Sequence, residues 1–395
     1  MGAIRITGAE TLQCAAGTRI WAFLKLTTDD GITGWAEFTD GGYSSRGTAQ
    51  VIERLAALVV GQDATNTNRL EAILHSATHE AEEGLNRRAA AAILNASLDI
   101  RAQALEVPVA ALLGGVLRNR LPLYWSHCGL GRVRLSQAGV HPPVTSLDDI
   151  VTLGAEVRER GFGALKTNVI LFEDGAARIY LPLWSGQGET SLELTRSTID
   201  GVAALIEAFH EGAGDDVELL LDTVWCVKGE GIGRLARRLA ETPLSWLESD
   251  TSDPEALVAA KGNGQLRIVS GEALSGVREY RRFFDRRAMD IVKVDVAWNG
   301  MPEAKRIADL AASYDLNVSP HNPMSHLMTH MSAQFGAALP NFSILEIDVD
   351  GVPWRDELTT PPIIENGELV LPDAPGWGCV VDEDAIRAHP PTIPV

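Results

Sequence analysis

The chain is 395 residues long, 45% hydrophobic and 22% charged, which is a globular composition and predicts two domains or one large barrel with an appendage. Its 34 Lys and Arg residues against 53 Asp and Glu residues give a formal net charge of −19, which disfavours nucleic acid and anionic membrane surfaces as partners. We expect the chain to work in a reducing cytoplasm. Its four cysteines are widely separated, it has no run of 18 apolar residues, and no apolar signal segment stands at its start.

An N-terminal α+β unit is predicted for residues 1–118. Alternating apolar and polar residues predict strands on both sides of Asp29-Asp30-Gly31, which is a hairpin signal. Helical periodicity and an Ala-rich stretch follow these strands. Strands that precede helices in this way are typical of an α+β domain. The predicted strands are residues 4–14 and 19–39, and the predicted helices are residues 47–61, 66–79 and 86–106.

Residues 119–350 show a different pattern, in which eight short apolar runs alternate with amphipathic stretches. Continuously apolar strands that alternate with helices indicate a parallel sheet, and eight such units predict a closed (β/α)₈-type barrel. A doubly wound open sheet is the rival fold, but no GxGxxG motif follows any of the runs. The eight runs are residues 121–126, 163–168, 217–222, 244–248, 266–272, 289–295, 316–321 and 342–346.

Two segments fall outside this rhythm. The connection at 169–190 is unusually long, and a loop of that size beside a strand end favours a lid or a specificity element. We also expect the irregular loops at 15–20 and 40–46 to contribute to specificity. Residues 351–395 are rich in Pro and Gly and contain no further barrel unit. We expect this last segment to pack back onto the first domain.

Six of the eight runs end in an acid or a histidine. One strand with its return helix takes about 25 residues, so these side chains are expected at one level, the C-terminal rim where barrel active sites lie. For any one of them the alternative is a loop acid or a helix N-cap. Six in register make chance placement the weaker explanation. The six residues are Asp222, Glu248, Glu272, Asp295, His321 and Glu346.

Three of these acids come from successive strands and predict a metal site. Asp222, Glu248 and Glu272 would crowd together, and three anions at close range need a cation to stay ionised. Oxygen ligands favour a hard ion, Mg²⁺ or alternatively Mn²⁺, over zinc. A pair of carboxylates for glycoside hydrolysis is the alternative, which the third acid disfavours.

His321 and Asp295 end adjacent strands and are predicted to form a hydrogen-bonded pair. A carboxylate on one ring nitrogen fixes the tautomer and leaves the other nitrogen free to act as a base. A structural histidine at a helix start is the alternative. Lys166 lies near the end of the second run, where a buried cation close to the metal carboxylates could bind or polarise an anionic substrate.

These residues lie within a wider resemblance that covers nearly the whole chain. Three segments, DDGITGWAEF (29–38), ASLDIRAQALEVPVAALLGG (96–115) and DAPGWGCVVDEDAI (373–386), carry it. They resemble the first hairpin, the signature helix with its P-x-x-x-L-L-G-G segment and the returning C-terminal segment of the mandelate racemase/muconate lactonizing enzyme group of the enolase superfamily. The resemblance implies a (β/α)₇β modified TIM barrel, with an α+β capping domain formed by the N-terminal region and the C-terminal segment.

The same resemblance implies roles for individual residues. The shared first step is removal of the proton α to a carboxylate, by a dyad that falls here on His321 and Asp295. Mg²⁺, Lys166 and a protonated Glu346 that hydrogen-bonds the substrate are then expected to stabilise the enediolate. By the same match, the three Mg²⁺ ligands fall on Asp222, Glu248 and Glu272.

Two positions depart from the family pattern. Asn168 stands where many relatives carry a second lysine as a base, and the resulting K-x-N ending resembles sugar-acid dehydratases of the galactonate dehydratase type. Those enzymes carry a histidine two residues after the first metal ligand, where this chain has Val224. His321 is therefore the clearest base, Lys166 is the second candidate, and Asn168 is expected to contact the substrate.

A Mg²⁺-dependent dehydratase of a sugar acid, an aldonate or an aldarate, is the leading expectation, with a 2-keto-3-deoxy acid as product. A β-elimination needs one base and one acid, which a single histidine can supply. A racemase needs a base on each face of the α-carbon, and Asn168 leaves one face poorly served. A racemase or epimerase, a lactone cycloisomerase and an inactive metal-binding relative are the alternatives. We expect a sugar acid as the small-molecule partner and, from the resemblance alone, a homo-oligomer.

Overall fold

The computed structural model describes residues 2–17, 19–41, 44–137, 139–182, 193–262 and 266–391. The N-terminal elements are β1 (Ile6–Ala15), β2 (Ile20–Thr28), β3 (Thr33–Glu37), α1 (Ser45–Val59), α2 (Thr67–Thr78), α3 (Leu85–Ala104) and α4 (Val109–Leu112). The three strands form an antiparallel sheet with β2 in the middle. The predicted hairpin turn joins β2 to β3, and Gly31 has the positive φ of 82° that favours glycine.

Helix α3 packs closely against this sheet. A Cβ atom on Gly34 of β3 would lie 2.1 Å from the carbonyl oxygen of Ala96, so only glycine lets the two backbones approach this far. Buried apolar side chains of the sheet and the helices, among them Leu24, Leu55 and Ile93, form the core of this unit.

The strands from residue 120 to residue 348 are β4 (Arg120–Ser126), β5 (Ala164–Asn168), β6 (Ile170–Glu173), β7 (Ala176–Ile179), β8 (Glu218–Asp222), β9 (Leu244–Glu248), β10 (Arg267–Ser270), β11 (Ile291–Val294), β12 (Asn317–Pro320) and β13 (Leu345–Asp348). Within the described residues, β4, β5 and β8 to β13 form a parallel sheet in chain order. Strand β13 pairs back with β4, and a bridge between Val318 and Phe342 joins the last two segments. These eight strands match the eight apolar runs, so the predicted barrel is confirmed.

Helices cover the outside of the barrel and bury their apolar faces against the strands. They are α5 (Leu130–Gln137), α6 (Leu147–Glu159), α7 (Arg196–Ala213), α8 (Gly229–Leu239), α9 (Pro254–Lys261), α10 (Gly276–Asp285), α11 (Val296–Asn299), α12 (Met301–Ser313) and α13 (His326–Ala337). A separate apolar cluster that includes Tyr124, Leu220 and Trp246 fills the inside of the strand ring. No helix in the described part of the chain combines the length and the apolar character that a membrane span needs.

The long connection after β5 begins with a hairpin. Strands β6 and β7 pair antiparallel directly beyond the barrel strand. The rest of the predicted 169–190 insertion lies largely outside the described residues, which stop at Pro182 and resume at Glu193. Its predicted role as a lid or specificity element therefore stays a prediction.

The C-terminal segment contacts both the barrel and the N-terminal unit. Its elements are α14 (Arg355–Leu358), β14 (Ile364–Glu365), β15 (Glu368–Val370) and α15 (Glu383–Ala388). Strand β15 pairs antiparallel with the start of β4, so this hairpin extends the barrel sheet. On the other side, Trp377 donates from Nε1 to the carbonyl oxygen of Trp35 at 2.7 Å. The domain boundaries near residues 118 and 350 stay predictions.

Candidate active site

Three carboxylates converge at the C-terminal mouth of the barrel. Asp222 and Glu248 are the last residues of β8 and β9 and are register partners, and Glu272 follows β10 by two residues. The chain turns at Gly271, where φ is 121° and a Cβ would lie 2.9 Å from the carbonyl oxygen of Lys293. One ligand oxygen from each of the three acids lies within 4.8 Å of the other two. We call these three residues the carboxylate trio.

The carboxylate trio fits a hard divalent cation. All three acids are buried, and Glu248 Oε1 and Glu272 Oε2 accept no hydrogen bond from the described residues. Burial raises the pKa of Glu248 to about 7. Burial and then the neighbouring carboxylates, Asp250 first, raise the pKa of Glu272 well above its usual value. Buried, unpaired carboxylate oxygens at this separation are the donor set that Mg²⁺ or Mn²⁺ takes.

A fourth carboxylate, Asp250, lies beside the trio and was missed by the sequence analysis. Its Oδ1 accepts hydrogen bonds from the Ser270 hydroxyl at 3.1 Å and the Gly271 N–H at 3.0 Å. Burial raises the pKa of Asp250 to about 6. Because its two donors directly precede Glu272, Asp250 fixes the turn that carries this carboxylate. A second acid two positions after Glu248 was the available sequence signal.

Lys166 reaches from β5 into the middle of the site. Its Nζ lies 3.0 Å from Glu248 Oε2, 2.9 Å from Glu346 Oε1 and 3.6 Å from Asp222 Oδ2. Burial would lower the pKa of Lys166, but Glu248 and Glu346 raise it well above the ordinary value. The side chain is therefore a cation, which suits the binding of a substrate carboxylate better than the removal of a proton.

The two positions that depart from the family pattern both orient Asp222. Asn168 Nδ2 donates to the carbonyl oxygen of Asp222 at 3.2 Å and to its Oδ2 at 3.3 Å. The Val224 N–H donates to Asp222 Oδ1 at 2.6 Å. Asn168 Oδ1 is buried and has no partner among the described residues. The predicted contact between Asn168 and the substrate stays a prediction.

The structure brings His321 and Asp295 together. His321 Nδ1 lies 2.7 Å from Asp295 Oδ2, while Asp295 Oδ1 caps α11 by accepting from the N–H groups of Ala297 and Trp298 at 2.7 and 2.8 Å. These two bonds hold the carboxylate, so the imidazole orientation is fixed in turn. His321 Nε2 lies 3.1 Å from Glu272 Oε2 without hydrogen-bond geometry. The free ring nitrogen therefore lies beside the carboxylate trio.

Glu346 lies between two lysines, and the expectation that it is protonated was wrong. Its Oε1 forms an ion pair with Lys166 Nζ at 2.9 Å and accepts a hydrogen bond from the Ser126 hydroxyl at 2.5 Å. Lys293 Nζ and the Asn322 N–H donate to Oε2 at 2.7 and 3.1 Å. Burial would raise the pKa of Glu346, but the two lysines hold it well below its usual range. The side chain is an ionised carboxylate with no proton to give to a substrate.

Lys293 was also missed by the sequence analysis. It is fully buried on β11, and its Nζ also donates to the hydroxyl of Tyr124 at 2.6 Å. Lys293 and Asp295 are two positions apart, and alternate residues of a strand point to the same face. A lysine inside an otherwise apolar strand was the available signal, since burying a charge is costly unless the charge is paired.

Two family models match this chain. The model described as "Enolase C-terminal domain-like" matches residues 149–385, and the model described as "Mandelate racemase / muconate lactonizing enzyme, N-terminal domain" matches residues 7–114. The chain belongs to the mandelate racemase/muconate lactonizing enzyme family of the enolase superfamily. The resemblance drawn from the sequence is therefore confirmed.

Similar members of this family have differing descriptions. The chain is 28% identical to "D-xylonate dehydratase" of Haloferax volcanii, over 97% of this chain and 88% of the relative. It is 25% identical to a "D-galactonate dehydratase family member" of Streptomyces bingchenggensis, over 98% and 93%. A crystal structure of a "putative L-alanine-DL-glutamate epimerase from Burkholderia xenovorans strain LB400 bound to magnesium and fumarate" is 41% identical, with a TM-score of 0.95 over 98% of this chain and 97% of that one.

In this family member the N-terminal unit contacts the loops around the barrel mouth. Arg19 donates to the carbonyl oxygen of Pro323 at 2.6 Å, two residues beyond the dyad histidine. The Trp298 Nε1–H, whose ring lies 5.1 Å from that of His321, donates to the carbonyl oxygen of Thr39 at 2.8 Å. The predicted specificity loop at 15–20 thus contacts the barrel mouth through Arg19, whereas the other contact comes from Thr39, directly before the predicted loop at 40–46. Thr18, Gly42 and Tyr43 lie outside the described residues. The role of both loops stays a prediction.

Proposed function

We propose that this protein is a Mg²⁺-dependent dehydratase that converts a sugar acid to a 2-keto-3-deoxy acid. One observation carries the proposal: His321 Nε2 and Lys166 Nζ approach different members of the same buried carboxylate trio, to within 3.1 and 3.0 Å. A base and a cation that face one metal site are the parts needed to remove a proton next to a carboxylate. The dehydratase descriptions of similar family members, at 25 to 28% identity, support the choice of reaction.

The proposed ligands are Asp222, Glu248 and Glu272, with Mn²⁺ as an alternative ion. Bound there, Mg²⁺ would supply positive charge beside the substrate carboxylate. The Lys166 ammonium would bind the same carboxylate and face the negative charge that develops on it. Because the Lys166 ammonium is in place before the substrate arrives, its charge needs no reorganisation during the reaction.

His321 is the proposed base. Its Nε2 takes the proton from C2, and the electrons of that C–H bond move onto the carboxylate as an enediolate. Asp295 stabilises the imidazolium that forms and keeps the ring oriented. When these electrons return, the bond from C3 to its hydroxyl oxygen breaks, and the oxygen leaves as water with the proton that His321 carried. The enol that remains tautomerises to the 2-keto acid.

The site favours elimination over racemisation because the second strand offers no free base. Asn168 is uncharged and hydrogen-bonded to Asp222. Lys166 is the other candidate, and its carboxylate neighbours keep it protonated by raising its pKa. A single histidine that first accepts and then returns a proton serves a syn elimination.

Epimerisation is the second candidate. It is favoured by the likeness to the structure described as a putative epimerase bound to magnesium and fumarate, at 41% identity. Lys166 would then have to lose its proton and act as the base on the face opposite His321. An ion held by the trio would also attract the charge of Glu248 and so weaken one of the interactions that raise the pKa of Lys166.

A screen of aldonic and aldaric acids with Mg²⁺ tests the proposal. We expect a 2-keto acid product that is lighter than its substrate by one water, and no product in the variant His321→Asn. In D₂O, exchange of the α-proton without loss of water would indicate an epimerase instead. Absence of both exchange and product for every acid, with Mg²⁺ bound, would indicate a metal-binding relative without turnover. A cytoplasmic location and a homo-oligomeric state complete the proposal and need separate measurement.

A further inference from the structure

We propose that His127 and Asp348 bind the hydroxyl groups at the substrate end remote from its carboxylate, and so select an aldonate over an aldarate. This inference rests on the sugar-acid function proposed above and names the substrate class within it. Neither residue is one of the site residues expected from the sequence.

Asp348 lines the inner wall of the barrel at its mouth. It is the last residue of β13 and the register partner of Ser126 on β4. Glu346, two positions earlier on the same strand, points into the barrel, where it meets Lys166 and Lys293. Alternate residues of a strand share a face, so Asp348 points inward as well, about 6.6 Å nearer the mouth. Its side chain is 16% exposed, against 1% for Glu346.

His127 covers this carboxylate from the neighbouring strand end. The residue directly follows Ser126, and a φ of 49° turns the chain there. His127 Nδ1 lies 3.2 Å from both carboxylate oxygens of Asp348, which fixes the ring. The ring is 15% exposed, and Nε2 has no hydrogen-bond partner among the described residues. The pair therefore offers an oriented ring nitrogen and carboxylate lone pairs to the same space.

This pair suits a hydroxyl group better than a second carboxylate. A hydroxyl can donate to Asp348 and exchange a hydrogen bond with His127, whereas a carboxylate would face Asp348 at close range. Two nearby arginines donate to backbone carbonyl oxygens. Arg355 donates to the carbonyl oxygens of Asp348 and Met324, and Arg19 donates to that of Pro323.

The position of the pair assigns it to the far end of the substrate. The substrate carboxylate is proposed to lie against Lys166, which contacts Glu346 at 2.9 Å. Asp348 lies one side-chain layer above Glu346, about 6.6 Å along the strand. C2 and C3 are the first atoms beyond the carboxylate, so the groups one layer away meet the later hydroxyls of a five- or six-carbon chain.

Equilibrium binding of three acids tests this assignment. Titration calorimetry with Mg²⁺ measures the binding of each acid in the His321→Asn variant, in which we expect no turnover. The first acid is the five- or six-carbon aldonate that reacts best. The other two are the aldarate of the same configuration and a four-carbon aldonate that lacks the far hydroxyls. The variants added are His127→Gln and Asp348→Asn. His141→Gln is the matched control, because His141 is a partly buried histidine of the same region, 3.9 Å from Asp350.

We expect His127→Gln to weaken binding of the longer aldonate about tenfold, equivalent to about 1.4 kcal/mol, and to leave the four-carbon acid within about twofold. Asp348→Asn should strengthen aldarate binding about tenfold, and His141→Gln should change none of the three. The assignment is overturned if the aldarate binds as tightly as the longer aldonate to the His321→Asn variant that keeps His127 and Asp348. It is also overturned if His127→Gln weakens binding of the longer and the four-carbon aldonate equally. Binding of no sugar acid at all, with a normal Mg²⁺ titration, overturns the proposed function and this inference with it.

Discussion

Replacing Glu248 by glutamine tests the carboxylate trio most directly. The substitution keeps the shape of the side chain and an oxygen in place, so the main loss is one negative charge. With a cation-to-carboxylate charge separation of about 3 Å, the lost attraction to a doubly charged ion is about 2.8 kcal/mol even at the dielectric constant of water. That lower bound corresponds to a Mg²⁺ affinity about a hundredfold weaker.

Titration calorimetry with Mg²⁺ measures this loss, and Glu346→Gln is the matched control. Both acids contact Lys166, at 3.0 and 2.9 Å, so both variants remove one carboxylate from the lysine. Only Glu248 belongs to the trio, and we expect the control to lose less than about tenfold. Circular dichroism without Mg²⁺ checks that each variant is folded. An unchanged affinity in Glu248→Gln, or an equal loss in both variants, would refute the ligand assignment.

Three further outcomes are expected. His321→Asn should abolish α-proton exchange with D₂O while Mg²⁺ affinity stays within about threefold; retained exchange would move the base to another residue, with Lys166 next. Burial raises the pKa of Glu248 from 4.5 to about 7. Between pH 4.5 and about 7 the folded protein without metal therefore keeps a proton on Glu248 that the unfolded chain has lost. The contribution of Glu248 to the free energy of unfolding falls as the pH rises through this window. Mg²⁺ should therefore raise the melting temperature more at a pH of about 8 than at about 5.5, and equal shifts in calorimetric scans would contradict this. Lys293→Met should lower the free energy of unfolding by about 3 kcal/mol, measured by urea denaturation, and Lys293→Met combined with Glu346→Gln should recover part of that loss; no loss in the single variant would mean that the buried ion pair is not stabilising.

The barrel and the ring of polar strand ends could be predicted from the sequence because both depend on local order. Each strand is a short apolar run, and each run after the first two ends in an acid or a histidine that reaches the mouth, as Asp222 and Glu248 do. The carboxyl ends of the parallel strands lie at the same end of the barrel. Residues that end successive strands therefore lie close together, although they are far apart along the chain. The pairing of His321 with Asp295 follows from the same reasoning, since β11 and β12 are neighbours.

Contacts across the barrel could not be predicted in this way. Lys293 and Glu346 come from strands that are not neighbours in the sheet, and their pairing depends on which side chains meet inside the ring. The sequence pattern places Glu346 at a strand end but does not reveal the two lysines that keep it ionised. The error about its protonation therefore came from treating the residue without its partners, which decide a buried pKa.

The distribution of charge inside the strand ring supports the proposal that a metal ion completes the folded site. Lys293 is committed to Glu346, and Lys166 is divided between Glu346 and the trio. Glu346 is therefore well compensated and has a lowered pKa, whereas Glu248 next to it has a raised one. This difference in pKa indicates that the two lysines compensate the charge of Glu346 but only partly that of Glu248. A divalent cation at the trio would add charge at that place, and it would let three carboxylates ionise together close to the nitrogen proposed to take the substrate proton.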